Sequence, residues 1–164
     1  MLQIRPAKTR DVAAIRSIAE PLIEKRILLG KELVELFESI QEFVVAELDG
    51  EVVGFGALHV MWEDLAEVRT LAVAEHAKRK GIGAAMLSEL LGRAEQLGIK
   101  RVFCLTFEVD FFKANGFDVI SDIPVDPETY AELVRSHDEG VAEFLDLARV
   151  KQNTLGNSRM LKLL

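Results

Sequence analysis

The sequence of 164 residues contains one cysteine, Cys104. A single thiol excludes an intramolecular disulfide framework and any zinc site made of several cysteines. No stretch approaches the roughly 18 consecutive apolar residues of a membrane-spanning helix. The first residues, Met-Leu-Gln-Ile-Arg-Pro, lack the apolar core of a secretion signal. We therefore expect a cytoplasmic protein with no membrane association.

Positive charge and aromatic side chains are both scarce. There are 20 Lys and Arg against 27 Asp and Glu, so the formal net charge is −7, and aromatics make up 7%. Nucleic acids and anionic membranes are bound by basic surfaces, so this balance disfavours both as partners. Hydrophobic residues still reach 49%, which is enough for a core that needs no disulfide bond or structural metal ion. Since no repeat or linker divides the sequence, we expect one domain over residues 1–164.

The N-terminal part of the sequence combines a strand signal with two helix signals. Residues 3–6 predict a strand that ends at Pro6, and Thr9 is a typical helix N-cap residue. The apolar spacing that follows predicts an amphipathic helix, which Pro21 is expected to kink or break. A second helix is predicted over residues 31–40.

The centre of the sequence predicts a β-hairpin. Asp49 and Gly50 separate two strand-like segments and favour the positive φ angles of a tight turn. Gly54 and Gly56, in the second segment, indicate the close approach of another group.

Strand and helix signals alternate over the remaining residues. The predicted elements are strands at 65–73, 101–107, 117–120 and 160–164, and helices at 81–97, 111–115, 127–136 and 141–148. Gly98 is expected to end the long helix, and residues 154–158 resemble a turn. A hairpin followed by a crossover helix implies an α/β protein, with a mixed sheet flanked by helices.

One short segment reverses the acidic character of the chain. Residues 78–83 read Lys-Arg-Lys-Gly-Ile-Gly and lie between a predicted strand and a predicted helix. Free N–H groups and the helix dipole at such a junction attract phosphate, and glycine allows close approach. A solvated basic loop is the alternative. The dinucleotide pattern G-x-G-x-x-G fails at Met86, and the Gly-Lys-Ser/Thr ending of a Walker loop is absent.

These segments resemble the GNAT acetyltransferase superfamily. The resemblance rests on Ala66–Val73, on Gly81-Ile-Gly83 after seven intervening residues, and on Phe111–Phe117. It implies a central, mostly antiparallel mixed sheet of six to seven strands, and acetyl-CoA as co-substrate. The residues that it assigns to CoA are the loop amides of Lys78, Arg79, Lys80, Gly81, Ile82, Gly83 and Ala84, and the strand backbone of Leu71, Ala72 and Val73.

A closer resemblance is to amino-acid N-acetyltransferases of arginine biosynthesis, in particular the short, stand-alone type of N-acetylglutamate synthase. It is carried by Gly56–His59, Glu67–Thr70, Phe103–Phe107, Phe111-Phe112 and Asn157–Leu161. The resemblance implies transfer of acetyl to the α-amine of L-glutamate by direct attack on the thioester, without a metal. It also implies a small-molecule partner and allows a homodimer. L-Glutamine or another small amine is an alternative acceptor, and a non-catalytic CoA-binding regulatory domain is an alternative function.

The reaction needs a base, because an α-amino group with a pKa near ~8 is mostly protonated at neutral pH. Glu67 is the first candidate, since many GNAT enzymes carry a glutamate on this strand. Glu63 and Asp64 are weaker because turns are often acidic anyway. His59 titrates in a useful range, but a lone strand histidine is more often structural.

Two further roles follow from the resemblance. The backbone N–H of Val73, or of its neighbour Leu71, is expected to polarise the thioester carbonyl. Phe112 occupies the position of a tyrosine that protonates the leaving thiolate in many members, so that role is not carried over. A thiolate with a pKa near ~8.5 can leave without full protonation. Cys104 is expected to be a small core residue rather than a nucleophile.

Carboxylates on the acceptor call for cations, and arginine binds them through paired hydrogen bonds. Arg69 is one candidate, because it shares a strand face with Glu67. Arg159 is a second candidate and Lys151 a weaker third. Thr106 and Ser158 are candidates for hydroxyl contacts to the acceptor.

Overall fold

The computed structural model describes residues 1–28, 30–145 and 157–164. The strands among them are β1 (Leu2–Pro6), β2 (Phe43–Leu48), β3 (Glu51–Trp62), β4 (Leu65–Val73), β5 (Arg101–Thr106), β6 (Asp118–Val119) and β7 (Ser158–Leu163). The α-helices are α1 (Val12–Glu24), α2 (Leu33–Glu38), α3 (Ile82–Gln96), α4 (Val109–Ala114), α5 (Pro127–Leu133) and α6 (Glu139–Phe144).

The described strands form one sheet in the order β1-β2-β3-β4-β5-β7-β6. Neighbouring strands are antiparallel except β4 and β5, which are parallel and connected through α3. The α/β class and the mostly antiparallel, seven-stranded mixed sheet are therefore confirmed. The strands of this sheet are drawn from nearly the whole length of the chain, from Leu2 to Leu163. That residues 1–164 form a single domain stays a prediction.

The start of the first helix differs from the sequence prediction. Residues 9–11 form a 3-10 turn, and α1 begins at Val12, so Thr9 is not its N-cap. Asp11 instead accepts the Lys8 backbone N–H at 2.7 Å and pairs with Arg5. Of the kink or break expected at Pro21, the break is wrong, because α1 continues to Glu24, while the kink stays a prediction. Pro21 lies in the last turn, where only a short helical segment follows it.

The central hairpin is confirmed, with φ angles of 51° at Asp49 and 86° at Gly50. The close approach at its glycines is confirmed as well. A Cβ on Gly54 would lie 2.9 Å from Met86 Cε of α3, and one on Gly56 would lie 2.7 Å from Leu71 Cδ1 of β4. The absence of side chains here lets α3 and β4 pack closely against β3.

Three groups of buried side chains stabilise the sheet. The first lies between the sheet and α3, the second beneath α1 and α2, and the third beneath α5 and α6. Gly98 follows α3 with φ 85°, as its predicted role as a helix end requires. The second predicted helix is shorter than expected, since only residues 33–38 are α-helical and Leu36 is the buried residue among them.

The C-terminal elements were predicted with approximate bounds. α5 and α6 are shorter than the helices expected at 127–136 and 141–148. The last strand is confirmed and runs over Ser158–Leu163. Residues 146–148 of the last predicted helix, and 154–156 of the predicted turn, lie outside the described residues. No helix among the described residues is long and apolar enough to span a membrane.

Candidate active site

The parallel strands β4 and β5 separate halfway along their length. They pair only at the start of β4, with Leu65 opposite Arg101, Ala66 opposite Val102 and Glu67 opposite Phe103. Beyond Glu67 no further pair is formed, so the C-terminal ends of both strands border a gap in the sheet. Backbone groups on the facing edges of this gap are available to a ligand.

A β-bulge in β4 lies at the start of this gap. Ala57 of β3 pairs with Arg69, whereas Phe55 pairs with Ala72, so β4 contains one extra residue between the two pairs. Thr70 within the bulge has φ 53°, which is strained for a β-branched residue. Such strained positions cluster at functional sites.

The bulge leaves two backbone amides of β4 facing the gap. The Ala74 N–H donates to Val53 O on the β3 side at 2.7 Å. Because successive N–H groups along a strand point to opposite edges, those of Val73 and Leu71 face the β5 side. The polarising role expected of these amides stays a prediction.

The basic loop leads directly into the N-terminus of α3, where the first N–H groups lack intrahelical partners. Arg79 and Gly81 both have left-handed φ angles, of 65° and 75°. Gly81 provides no side-chain cap to α3, and the first intrahelical bond runs from Ala85 N to Gly81 O. The N–H groups of residues 82–84 precede that bond, so the helix leaves them for an anion.

A cleft of about 670 Å³ connects this loop with the gap between β4 and β5. Its walls include the end of β4, the loop residues, the end of β5 and α4. Phe112 borders the cleft as a buried ring, and it packs edge to face on Phe111 and Phe117 with centroids 5.1 Å apart in each pair. The position of the family tyrosine therefore presents an apolar surface with no proton to donate.

A smaller pocket of about 190 Å³ adjoins the cleft at Val68, Thr70 and Leu105. Glu67 contributes to the wall of this pocket, although its side chain is only 7% exposed. Burial raises the pKa of Glu67, and the positive charge and hydrogen bond of Arg69 oppose that rise. A raised pKa makes a carboxylate a stronger base at neutral pH.

Arg69 connects Glu67 to the N-terminus of α6. Its Nε donates to Glu67 Oε1 at 2.7 Å, and its two Nη atoms donate to the Asp138 carboxylate at 3.0 and 2.6 Å. Burial disfavours ionisation of Asp138, but these hydrogen bonds and the charge of Arg69 hold its pKa well below the usual range. Three of the five N–H donors of Arg69 are thus engaged by carboxylates.

The other predicted acceptor residues lie along the ends of β5 and β7. Thr106 borders the cleft, where its Oγ1 accepts the Glu108 N–H at 2.8 Å, and Ser158 is its partner across the sheet. Arg159 Nη1 donates to the Phe144 carbonyl at 2.5 Å, at the C-terminal end of α6. Lys151 lies outside the described residues.

The weaker candidates for the base are separated from the gap. Glu63 is exposed, and Asp64 pairs with Arg101 at 3.0 Å; both precede β4, at the end of the strand away from the gap. Cys104 is a buried core residue, as predicted, and burial raises the pKa of its thiol. Within the described part of the chain, no cluster of His, Cys, Asp and Glu is arranged to hold a metal ion.

The sequence profile of the acetyltransferase (GNAT) family matches residues 13–117. The chain belongs to the GNAT acetyltransferase family. The resemblance stated from sequence is therefore confirmed, and the chain is an acetyltransferase.

Two relatives named amino-acid acetyltransferase illustrate how far the similarity extends. One, from Mycobacterium tuberculosis, is 52% identical over 98% of this chain and 94% of its own length. Another, from Neisseria meningitidis, is 33% identical over 83% of this chain but only 31% of its own length.

Solved structures of GNAT proteins agree with these sequence relatives. A Mycobacterium tuberculosis protein in complex with CoA and the ligand NLQ covers 99% of this chain and 99% of its own, with TM-score 0.94 and 52% identity. The N-acetylglutamate synthase of Neisseria gonorrhoeae, complexed with coenzyme A and N-acetyl-glutamate, covers all of this chain with TM-score 0.79 and 25% identity. The match is to 35% of the synthase chain.

Sequence reasoning missed several residues at the smaller pocket of this GNAT chain. Lys31, Glu35, Asp138 and Glu143 border it, and none was predicted there. For Asp138 a signal existed, because an aspartate three residues before Val141 is a typical N-cap, and its Oδ1 does accept the Val141 N–H at 2.9 Å. Lys31 and Glu35 carry no local signal, since they reach the pocket only through the packing of the segment after α1.

Proposed function

We propose that this enzyme transfers the acetyl group of acetyl-CoA to the α-amine of an amino acid, with L-glutamate as the first candidate acceptor. This is the N-acetylglutamate-forming reaction of arginine biosynthesis, placed in the cytoplasm. The observation that carries the proposal is the position of Glu67, a buried carboxylate on β4 in the wall of the smaller pocket, next to Val68, where this pocket adjoins the large cleft. A non-catalytic CoA-binding domain has no need of a buried base there.

Acetyl-CoA occupies the large cleft in this proposal. The amides of residues 78–84 bind the pyrophosphate at the N-terminus of α3, where the helix dipole favours negative charge. The backbone of Leu71, Ala72 and Val73 bonds the pantetheine arm along the open edge of β4. The CoA-bound relative with TM-score 0.94 supports this placement.

Glu67 removes a proton from the acceptor ammonium, directly or through one water. The free amine then attacks the thioester carbonyl, and the Val73 N–H stabilises the negative charge that develops on its oxygen. The tetrahedral centre collapses to the amide and expels the CoA thiolate. Because Phe112 cannot protonate this thiolate, it leaves as the anion and takes a proton afterwards.

The smaller pocket holds the acceptor. Lys31 and Arg69 line this pocket, and both are basic. The Lys31 ammonium and the two N–H groups of Arg69 that are not bonded to Glu67 or Asp138 can bind a carboxylate of the acceptor. Arg159, Thr106 and Ser158 lie beside this region at the ends of β5 and β7, and their contacts to the acceptor remain proposals.

L-Glutamine is the second candidate, and the charge of the pocket favours it. Four acidic side chains line the pocket, Glu35, Glu67, Asp138 and Glu143, against the two basic side chains Lys31 and Arg69. A side chain carrying a second negative charge is repelled by this excess, whereas a carboxamide is not. Glutamate and glutamine have the same length, so they differ in this pocket chiefly by charge.

A thiol-release assay with purified protein, acetyl-CoA and each of the twenty amino acids tests the proposal. We expect release of CoA with glutamate or glutamine, and mass spectrometry should show the N-acetyl product. A higher kcat/KM for glutamine would assign the second candidate. Binding of CoA without thiol release from any amino acid would instead assign the regulatory domain.

A further inference from the structure

A proton that Glu67 takes up has to leave a buried site. This requirement rests on the proposed function, in which an acceptor ammonium loses two protons. One of them converts the CoA thiolate into a thiol, and the other is released to solvent in each turnover. Since the Glu67 side chain is only 7% exposed, it needs a neighbour that can pass this proton on.

Most described side chains that face Glu67 cannot accept a proton from it. Arg69 is permanently protonated, and Asp138 is reached across Arg69. Phe103 stands opposite Glu67 on β5 and is apolar. Cys104 follows it on β5, but burial raises the pKa of its thiol and the charge of Glu67 raises it further.

The cross-strand neighbour of Glu67 that can accept a proton is His59 on β3. The β3–β4 register places His59 directly opposite Glu67, and side chains so paired lie on one face with Cβ atoms about 5 Å apart. On its other side, His59 Nδ1 lies 3.0 and 3.1 Å from the two carboxylate oxygens of Glu42. Glu42 ends the short 3-10 turn before β2.

These three side chains form a row with increasing exposure. Glu67 is 7% exposed, His59 21% and Glu42 33%. His59 and Glu42 also border a surface groove of about 400 Å³, which Arg93 of α3 shares. The row therefore leads from the buried base to solvent, away from both substrate pockets.

We infer that His59, held by Glu42, is the relay through which the proton taken up by Glu67 reaches solvent. Glu42 accepts the Nδ1–H, which fixes the tautomer and leaves Nε2 as the proton acceptor. The Glu67 O–H bond breaks and an Nε2–H bond forms, directly or through one water. The Nδ1 proton then passes to Glu42 or to water in the groove, and His59 returns to its neutral form. His59 acts through Glu67 and is a positioning residue rather than a catalytic one.

Chemical rescue separates this role from a structural one, in which His59 merely ties the turn at residues 40–42 to β3. In His59→Gln, which keeps a hydrogen-bond donor for Glu42, we expect kcat at neutral pH and low buffer concentration to fall about tenfold. The KM values should be unchanged, and added imidazole should restore kcat. A kcat that is unchanged, or that no concentration of imidazole restores, would overturn the inference.

A matched control is available at His76, which is 63% exposed and lies 3.6 Å from Glu51. His76→Gln makes the same chemical change without a link to Glu67, so it should leave kcat and the imidazole response unaltered. Melting temperatures of both variants check that loss of folding does not account for a loss of rate.

A measurement without any acceptor tests the contact itself. Burial raises the pKa of Glu67, and the charge of His59 acts in the opposite direction. In carboxyl-labelled protein, the NMR titration midpoint of Glu67 should therefore rise in His59→Gln and stay constant in His76→Gln. An unmoved midpoint would overturn the relay even in an active enzyme. Absence of thiol release with all amino acids would instead overturn the proposed function, while this titration still decides the contact.

Discussion

Arg69 and Gly140 pack so closely that the guanidinium group occupies the space where a side chain on residue 140 would begin. A Cβ built on Gly140 would overlap Nη2, Cζ and Nε of Arg69. The same guanidinium bonds Glu67 and Asp138, so α6 is fixed against β4 through one buried cation. The position of Glu67, the proposed base, is therefore coupled through Arg69 to a helix that is distant in sequence.

Gly140→Ala should damage both stability and catalysis. Alanine favours a helix over glycine by about 0.5–1 kcal/mol, but overpacking against Arg69 costs about 1–3 kcal/mol, so we expect a net loss of stability. Displacement of Arg69 also misplaces Glu67, which should lower kcat by up to about 100-fold. Urea denaturation and thiol-release kinetics measure the two effects.

The double variant Arg69→Gln/Gly140→Ala tests the contact between these residues. The shorter glutamine leaves room for the new Cβ, so the two stability changes should be clearly less than additive. Strict additivity would mean that Gly140 does not act through Arg69.

Glu67→Gln should change the pH dependence of the reaction. We expect kcat at pH 7 to fall roughly 10²–10⁴-fold, because an isosteric amide cannot accept the proton. In the wild type, the acid limb of the kcat/KM profile reports the Glu67 carboxyl, whose pKa burial raises above the ordinary 4.5. In the variant this limb should move towards the pKa of the acceptor's own amine, so that activity partly recovers in base.

Glu63→Gln is a matched control for the base, since Glu63 is exposed at the turn before β4. It should leave the profile in place. If Glu67→Gln kept the wild-type profile, Glu67 would not be the base.

Gly81→Ala and Gly92→Ala should have opposite effects on stability. Neither new Cβ would meet an atom within 4 Å, but Gly81 has φ 75° whereas Gly92 lies inside α3. The left-handed conformation costs alanine about 1–2 kcal/mol, while alanine inside a helix gains about 0.5–1 kcal/mol. The KM for acetyl-CoA should rise in Gly81→Ala alone, because Gly81 shapes the anion site. An equal rise in both variants would argue against a specific role of this loop.

Asp11→Asn should lower stability in a pH-dependent way. The Asp11 side chain accepts hydrogen bonds from Arg5 at 2.8 and 3.0 Å, and its bond with Arg5 lowers its pKa from 3.8 although burial opposes this. A carboxyl whose folded pKa is depressed contributes its full stability above the unfolded pKa. Breaking this largely buried pair should cost about 3 kcal/mol at pH 7.

The difference between wild type and Asp11→Asn should shrink as the pH falls below 3.8 towards the lower folded pKa. Chemical denaturation at a series of pH values measures it. The exposed Asp122→Asn is the control, and it should change stability by less than about 0.5 kcal/mol at pH 7. A difference that stays constant down to pH 2 would contradict the electrostatic origin.

Local sequence signals predicted the elements that depend on neighbouring residues. The Asp49-Gly50 turn, the end of α3 at Gly98 and the glycine-containing loop before α3 each need particular φ angles, which the residue types favour. Pro21 shows the limit of this reasoning, because α1 continues past it to Glu24. A homodimer stays a prediction. The last strand, β7, pairs with β5 along one edge and with β6 over part of its other edge.

The sequence by itself determined the α/β class, the glycine-containing loop before α3 and a glutamate on the central strand, because each depends on residue type and short spacing. The tertiary structure decided what surrounds that glutamate. Only folding brings Asp138 and His59 to Glu67 and its β4 neighbour Arg69, since Asp138 caps α6 and His59 lies on β3, and helix packing and sheet register join them to β4. Burial and these neighbours together set the pKa of Glu67, and neither can be read from local sequence.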